Sequence, residues 1–385
     1  MDDLEVPKEK FLAIASVSGC LEIISNTIAS LPIKLYDSTN GKIKVLEDDP
    51  RVNLLNDSTG DTLDGFQFKK ALICDYLSWG EGFAYLNRYL NSIKSIHYTD
   101  TRKVSKLYNQ DPIFKHCNIS VQGVTYEDYE FLKLLRRTKN GVDGVGILDE
   151  NYDSLKVMYH SLVYEDLLVS SGGNKKGFVK SQSKLSEPAV KELKQQWNDM
   201  YRNNTSNCIV LNNGLEFQES ANTSVEMQLN ENKITNSKDV CKMFGIPESI
   251  LNGSCTNEQY QSFIKITIIP ILKMFETALN VALLSNKERA FFYFSFDTKE
   301  LLKGDIEKRM KAYGEAIRNG IMQVDEVRYL EDLEPLGLNF IKLGLQDVLY
   351  DPVSKTIYTP NTNKTADIKN MKGDDSKNED RDPEE

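Results

Sequence analysis

Apolar residues near the amino terminus recur at intervals of three and four positions, which is the spacing of one face of a helix. They are Phe11, Ile14, Val17, Leu21, Ile24, Ile28 and Leu31. The stretch from 11 to 33 is long enough to raise the question of a membrane span, or of a peripheral membrane protein that binds through it. Ser, Asn, Thr and Glu22 alternate with the apolar positions, so the pattern favours an amphipathic helix packed on a core.

Helix and strand signals alternate through the first third of the chain and predict an α+β lobe. Pro32 ends the first helical pattern, and the segments IKLYD and KIKVL after it indicate two strands joined by a hairpin-type turn at DSTNG. A helix is predicted from 64 to 79, and FAYLNRYL then indicates a strand. Short apolar runs separated by turn residues continue to about Arg137.

A helical pattern from Asp153 ends in paired glycines suited to a helix carboxyl terminus. The next segment, 173–220, has the pattern of a small insert. It contains a strand-like piece, a helix that Ser186 and Glu187-Pro188 would start, and a hairpin with Asn213-Gly214 at its turn. Another helix is predicted from about Thr223 to Phe244.

The segment GIPESILNGSCTNEQ then joins a Gly-Ile-Pro turn and a polar, glycine-containing loop to a long apolar helix. Thr256 and Gln259 have capping-box spacing at the start of that helix, and Pro270 predicts a kink one turn before it. The segment AFFYFSF indicates a strand, and helices are predicted from 305 to 319 and at VDEVRYLEDL. Beyond about Asp351 the periodicity vanishes, and an acidic, disordered tail is predicted.

Charge and cysteine content narrow the classes of function. The net charge is −10 over 385 residues. This charge argues against tight electrostatic binding to DNA and against adhesion to an anionic bilayer. None of the six cysteines forms a C-x-x-C pair, so the sequence signals neither a zinc site nor a disulfide framework. Free thiols in a reducing cytoplasm are the better interpretation.

Candidate catalytic chemistry is sparse. The three histidines lack metal-ligand spacing, no P-loop motif is present, and the glycines of NGVDGVGIL stand in the wrong order for a nucleotide loop. The remaining enzyme hypothesis is a metal-dependent nuclease or phosphoesterase that uses clustered acids such as Asp48, Asp49 and Glu331. Solvated surface acids explain these clusters better, so a structural or interaction protein without enzymatic activity, metal site or cofactor is favoured.

Four segments in order resemble the portal, or head-to-tail connector, proteins of tailed bacteriophages. They are SLPIKLYD, LICDYLSWGEGFAYLNR, the run from DVCKMFGIPESILNGS through TNEQYQSFIKITIIPILKMFETALN, and NGIMQVDEVRYLEDLEPLGL. The resemblance covers roughly 10–340. The chain departs from it at GVGILDE, where relatives often have Gly-x-Ser-Pro, and in lacking the longer leader that many relatives carry.

The resemblance implies an α+β portal fold assembled as a ring, usually of twelve subunits, around a central channel for double-stranded DNA. The implied parts are an N-terminal segment 1–9, a wing 10–150 with 257–298, stem helices 153–172 and 223–246, a clip 173–222, a tunnel loop 247–257, a crown 300–335 and the tail 351–385.

The resemblance also implies sites and partners. The tunnel loop would face DNA through Glu248, Ser249, Asn252, Gly253, Ser254, Thr256 and Asn257. The clip would dock the large terminase subunit and a head-tail adaptor through Lys184, Glu187, Lys191, Lys194 and Trp197. The implied location is one vertex of the virion capsid, and the host cytoplasm during assembly. The implied partners also include major capsid and scaffold proteins, and no membrane is implied.

Overall fold

The structure is a computed structural model that forms two compact units, 1–298 and 299–385. It describes residues 5–39, 43–46, 48–90, 92–109, 111, 113–170, 177–181, 186–192, 195, 215–219, 223–298, 301, 306–331, 333–334, 336–338, 340–343, 348–351, 353–359 and 362–367.

The first unit combines long helices with small antiparallel sheets. Its helices are α1 Ala15–Ala29, α2 Pro50–Asn56, α3 Gly65–Trp79, α4 Ile147–Glu150, α5 Tyr152–Ser170, α6 Thr223–Phe244, α7 Glu248–Leu251 and α8 Asn257–Leu283. Its strands are β1 Ile33–Asp37, β2 Lys44–Leu46, β3 Glu81–Tyr89, β4 Ser92–Thr99, β5 Val104–Tyr108, β6 Cys117–Val121, β7 Val124–Tyr126, β8 Phe131–Leu135, β9 Gly177–Ser181, β10 Leu215–Glu219 and β11 Phe292–Phe296. The strand orders are β11-β1-β2, β4-β3-β8, β5-β6-β7 and β10-β9.

The α+β organisation predicted from the sequence is confirmed, and local signals explain several boundaries. The carboxylate of Asp64 caps α3 by accepting a hydrogen bond from the amide of Gln67 at 2.7 Å. Gly80 ends that helix in the left-handed conformation, with φ of 85°. The two strands predicted around DSTNG are β1 and β2, and they pair antiparallel.

Helix α1 lies in the core, as its amphipathic pattern predicts. Val17, Ile24 and Ile28 have no exposed surface, and the helix packs on α3 and α6. The stretch that raised the question of a membrane therefore supplies core side chains. Within the described residues, α8 is the helix that is long and apolar enough to cross a bilayer by length and composition, and 39% of its most apolar window is buried.

Three arginines cap the carboxyl end of α8, two of them from distant parts of the chain and one from the segment that follows the helix. Arg289 donates to the carbonyls of Asn280, Val281 and Leu284 at 2.6–3.1 Å. Arg88 donates to Ala282 O at 2.6 Å, and Arg51 donates to Leu283 O at 3.2 Å. The last carbonyls of a helix lack donors within the helix and carry the negative end of its dipole. The guanidinium groups supply hydrogen bonds to these carbonyls and a positive charge beside the dipole.

Polar side chains of α8 also bind the edge strand β11. The buried carboxylate of Glu276 accepts hydrogen bonds from Ser295 Oγ at 2.7 Å and from Phe296 N at 3.0 Å. The amide of Asn280 accepts from Phe294 N at 2.7 Å. These contacts satisfy backbone and side-chain donors of an edge strand and fix the helix against the sheet.

The glycines of NGVDGVGIL let the chain pass close to the end of α3. A Cβ added at Gly144 would lie 2.1 Å from Gly80 O, and one at Gly146 would lie 2.0 Å from Ser78 O. Glu81 and Lys106 form a buried ion pair beside this crossing, and Lys106 also donates to Val142 O at 2.9 Å. Close backbone packing therefore accounts for these glycines.

The second unit contains two helices followed by a meander of four antiparallel strands. These are α9 Ile306–Arg318, α10 Val324–Leu330, β12 Ile341–Leu343, β13 Val348–Asp351, β14 Thr356–Thr359 and β15 Lys364–Asp367. Arg309 on α9 and Glu331 after α10 form a two-pronged ion pair with N–O distances of 2.9 and 3.0 Å. Both predicted helices are confirmed.

The prediction of a disordered tail from 351 onward is wrong for the first part of that segment. β14 and β15 lie within it, and a turn between β13 and β14 is closed by the carboxylate of Asp351, which accepts from the amides of Val353 and Ser354. Strands of four residues with half-buried side chains leave too short an alternation to detect in the sequence. Residues 368–385 lie outside the described part of the chain.

Lys69 on α3 is a buried cation with a short hydrogen bond. Its side chain is 3% exposed, and Nζ donates to Leu31 O at 2.7 Å, just beyond the end of α1. Burial lowers the pKa of Lys69 from 10.5 to about 8, because desolvation penalises the charged form.

The arginine cap predicts that Arg289→Ala destabilises the first unit by about 1–2 kcal/mol, because several helix-end carbonyls lose their donor. Urea unfolding followed by circular dichroism measures this loss. Lys287→Ala is the matched control, since Lys287 is an exposed cation two residues away. Equal destabilisation by both variants would contradict the assigned role.

The lowered pKa of Lys69 predicts a specific dependence of stability on pH. Between about pH 8 and 10.5 the unfolded chain holds more protons at this site, so its contribution to the free energy of unfolding rises with pH by up to about 3 kcal/mol. Lys69→Met should lack this contribution. The check compares urea midpoints of both proteins from pH 7 to 10, and parallel curves would refute it.

Candidate DNA-facing loop

The candidate loop begins where α6 ends. Gly245 has φ of 66°, and its carbonyl accepts a hydrogen bond from Thr267 Oγ1 at 2.7 Å. The amide of Ile246 donates back to Cys241 O at 2.9 Å, and the Ile246 side chain is buried. A left-handed glycine followed by a residue whose amide bonds back to the last turn is the Schellman motif, which ends a helix. The chain therefore turns sharply towards α8.

Part of the predicted loop is helical. Pro247 precedes the single turn α7, and Leu251 at its end lies against α1, where its Cδ2 would be 3.1 Å from a Cβ added at Gly19. Gly253 follows in the left-handed conformation with φ of 68° and open space around its Cα. The prediction of a loop throughout 247–257 is therefore corrected, because 248–251 form α7 and the irregular part is the short segment between α7 and α8.

Gln259 joins the two ends of that segment. Its Oε1 accepts hydrogen bonds from Ser249 Oγ at 2.9 Å and from the amide of Thr256 at 3.2 Å. The amide of Gln259 in turn donates to Thr256 Oγ1 at 3.3 Å, which completes the predicted capping box. The sequence signalled Thr256 and Gln259 but not the contribution of Ser249 or the closing contact of Thr267.

A π-helical turn, Ile264–Ile268, follows the first turns of α8. It lies just before Pro270, where the sequence predicts a disruption, because proline cannot donate to the preceding turn. Thr267, the residue that bonds Gly245, belongs to this turn. A contact between the π-helical turn and the glycine that ends α6 therefore closes the start of the loop.

The exposed tip of the loop is polar and carries no positive charge. Asn252, Gly253 and Ser254 are exposed, and no Lys or Arg occurs from 245 to 264. The neighbouring acids are Glu248, which lies 3.7 Å from Lys238 Nζ, and the exposed Glu258. Such a tip can exchange hydrogen bonds with phosphate oxygens but cannot hold them by charge.

The predicted site residues therefore divide into two groups. Ser249 and Thr256 are used in the cap around Gln259, whereas Asn252, Gly253 and Ser254 form the exposed tip. Glu248 begins α7, and the exposed Asn257 begins α8.

The candidate clip residues are described only in part. Residues 187–192 are helical, and Glu187 and Lys191 are exposed on this segment. Lys184, Lys194 and Trp197 lie outside the described residues. The ends of the insert meet, because β9 pairs antiparallel with β10.

Two of the three acids named in the nuclease hypothesis, Asp49 and Glu331, are engaged in structural contacts. Burial opposes ionisation of Asp49, yet hydrogen bonds from the side chain and backbone of Arg51 hold its pKa below the usual range. Glu331 pairs with Arg309, and Asp48 is exposed. Among the described residues no group of three or more His, Cys, Asp or Glu side chains could hold a metal ion. The geometry does not favour a metal-dependent nuclease.

Sequence comparison identifies the family. The family model described as phage portal protein matches residues 15–332. The chain belongs to the phage portal protein family.

Curated relatives have a similar length. The probable portal protein of Streptomyces phage phiC31 is 21% identical over 347 residues, with 84% of this chain and 76% of that protein covered. The portal protein of Enterobacteria phage HK97 is 20% identical over 358 residues, with 87% and 82% covered.

Solved structures share the portal fold. An HK97 family phage portal protein from Corynebacterium diphtheriae has a TM-score of 0.59 at 15% identity, covering 78% of this chain and 97% of that chain. A subunit in the neck of the native gene transfer agent particle, computed with C12 symmetry, has a TM-score of 0.57 at 15% identity, with 85% and 92% covered.

The cap around Gln259 predicts that Gln259→Ala loosens the loop without unfolding the chain. The loss of one net hydrogen bond, about 1 kcal/mol, should speed amide exchange at Thr256 about five- to tenfold. Hydrogen–deuterium exchange with mass spectrometry measures it. Ser262→Ala, an exposed polar change on the same helix, is the control; unchanged exchange in Gln259→Ala would show that the cap does not order the loop.

Proposed function

We propose that this portal family member forms a closed ring at one vertex of a phage capsid. The ring would be the conduit through which double-stranded DNA enters during packaging and leaves during ejection. The proposal rests on one observation: the family match runs from 15 to 332, which includes helices α1 to α10. A ring of twelve subunits is supported by the C12 symmetry of the neck that shares this fold.

The loop tip would line the channel. Asn252 and Ser254 offer neutral donors and acceptors to phosphate oxygens, while the missing Lys and Arg leave the passing duplex unclamped. The acidic chain, with net charge −10, would repel phosphates from the channel wall. Weak, exchangeable contacts and weak repulsion together would let DNA slide.

The remaining parts take the roles that the family resemblance assigns. The insert 173–222 would be the clip that docks the large terminase subunit and later a head-tail adaptor. Its exposed Glu187 and Lys191 are accessible for such contacts. The lobe 10–150 with 257–298 would be the wing, facing major capsid and scaffold proteins, and 300–335 would be the crown. Assembly would take place in the host cytoplasm, and the chain would act without catalysis.

The channel role predicts that Asn252→Lys impairs DNA packaging or retention while ring formation stays intact, because a cation at the tip would bind phosphate. Deletion of 252–254 should also impair packaging. Native mass spectrometry checks the ring, and nuclease-protected DNA per particle checks packaging. Asn252→Gln, which keeps a neutral amide, is the control.

Two results would count against this assignment. Failure of Asn252→Lys to assemble would mean that the loop belongs to a subunit contact. Normal packaging by Asn252→Lys and by the deletion variant would mean that the loop does not face DNA.

A further inference from the structure

A groove of about 540 Å³ opens between the start of α1, the stem helices α5 and α6, and the short helix α7. Its apolar wall includes Ile14, Met158, Leu162 and Ile234. Ile234 is 53% exposed, so the apolar wall continues to the surface. Polar residues line the rest, including Glu165 and Lys233, which form an ion pair at 2.6 Å, and Asn252 from the loop tip.

A second apolar surface lies on another side of α5. Val157, Tyr164 and Leu167 are 64%, 42% and 60% exposed. At 100° per residue these three positions, hereafter the α5 stripe, fall roughly 120° around the helix from the side that lines the groove. The groove and the α5 stripe therefore face in different directions, so two different neighbours can contact them.

A closed ring requires two such surfaces on every subunit. Each copy in a cyclic assembly makes a head-to-tail contact, in which one patch meets a different patch on its neighbour. Contiguous exposed apolar patches that are surrounded by polar residues often mark sites where a protein binds a partner. The groove has a partly apolar wall, and the α5 stripe has exposed apolar side chains that would be buried by packing on such a wall.

We propose that the α5 stripe of one subunit packs into the groove of the next copy of this chain. This inference rests on the proposed ring and specifies its contact. The side chains of the α5 stripe would meet the apolar wall of the groove, at Leu162 and Ile234, and leave Asn252 of the loop tip outside the contact.

Cysteine cross-linking tests this contact. Purified rings of the double variant Tyr164→Cys with Ile234→Cys, treated with a short bis-maleimide, should give a ladder of covalent multimers. An equal mixture of the two single variants should give covalent dimers, and neither single variant alone should do so beyond the wild-type background. Tyr129→Cys with Ile234→Cys is the control pair, since Tyr129 is 68% exposed on a different lobe.

Charge substitutions supply an independent readout. Tyr164→Asp combined with Val157→Asp should reduce the fraction of chains in rings at least tenfold by native mass spectrometry, with an unchanged circular dichroism spectrum. Leu107→Asp, at a site 55% exposed on β5, should leave ring formation as in the wild type.

The outcomes separate this contact from the ring itself. If wild-type rings form, but the 164–234 pair does not cross-link beyond the Tyr129 control and the charged variant still assembles, this contact is wrong and the ring stands. If the wild-type chain forms no ring with or without its capsid partners, the proposed function fails and the contact fails with it.

Discussion

The arginine cap at the carboxyl end of α8 is the interaction on which the rest of the first unit depends. Helix α8 ends at Leu283, and the carbonyls of its last turn have no donors within the helix. Guanidinium groups from Arg51, Arg88 and Arg289 supply those donors. They join three separate stretches of chain to one helix end, and Glu276 then fixes the same helix to β11.

The opposite end of α8 carries the candidate loop, so one helix connects the arginine cap with the loop. The π-helical turn before Pro270 places Thr267 against Gly245, and Gln259 holds both sides of the loop. The tip from Asn252 to Ser254 is exposed, and its three amides donate to backbone carbonyls of 248–250. Its side chains therefore face solvent from a backbone that α7 holds in place.

Local sequence signals predicted the elements and many of their boundaries. Asp64 and Gly80 mark α3, Thr256 and Gln259 mark the start of α8, and the apolar spacing near the amino terminus marks α1. Interactions between distant residues could not be predicted this way. Arg88 gives no local sign that its partner is the carbonyl of Ala282, and the strands after Asp351 are too short to alternate visibly. Ser249 was predicted to face DNA, and its bond to Gln259 became visible only in three dimensions.

The proposed function requires that copies of this chain close into a ring around a channel. Native mass spectrometry of the purified protein, with negative-stain imaging of the same sample, measures this. We expect closed rings of about twelve subunits with a central hole, in line with the C12 symmetry of the neck whose subunit shares this fold. A protein that stays monomeric, even with scaffold and capsid partners present, would contradict it.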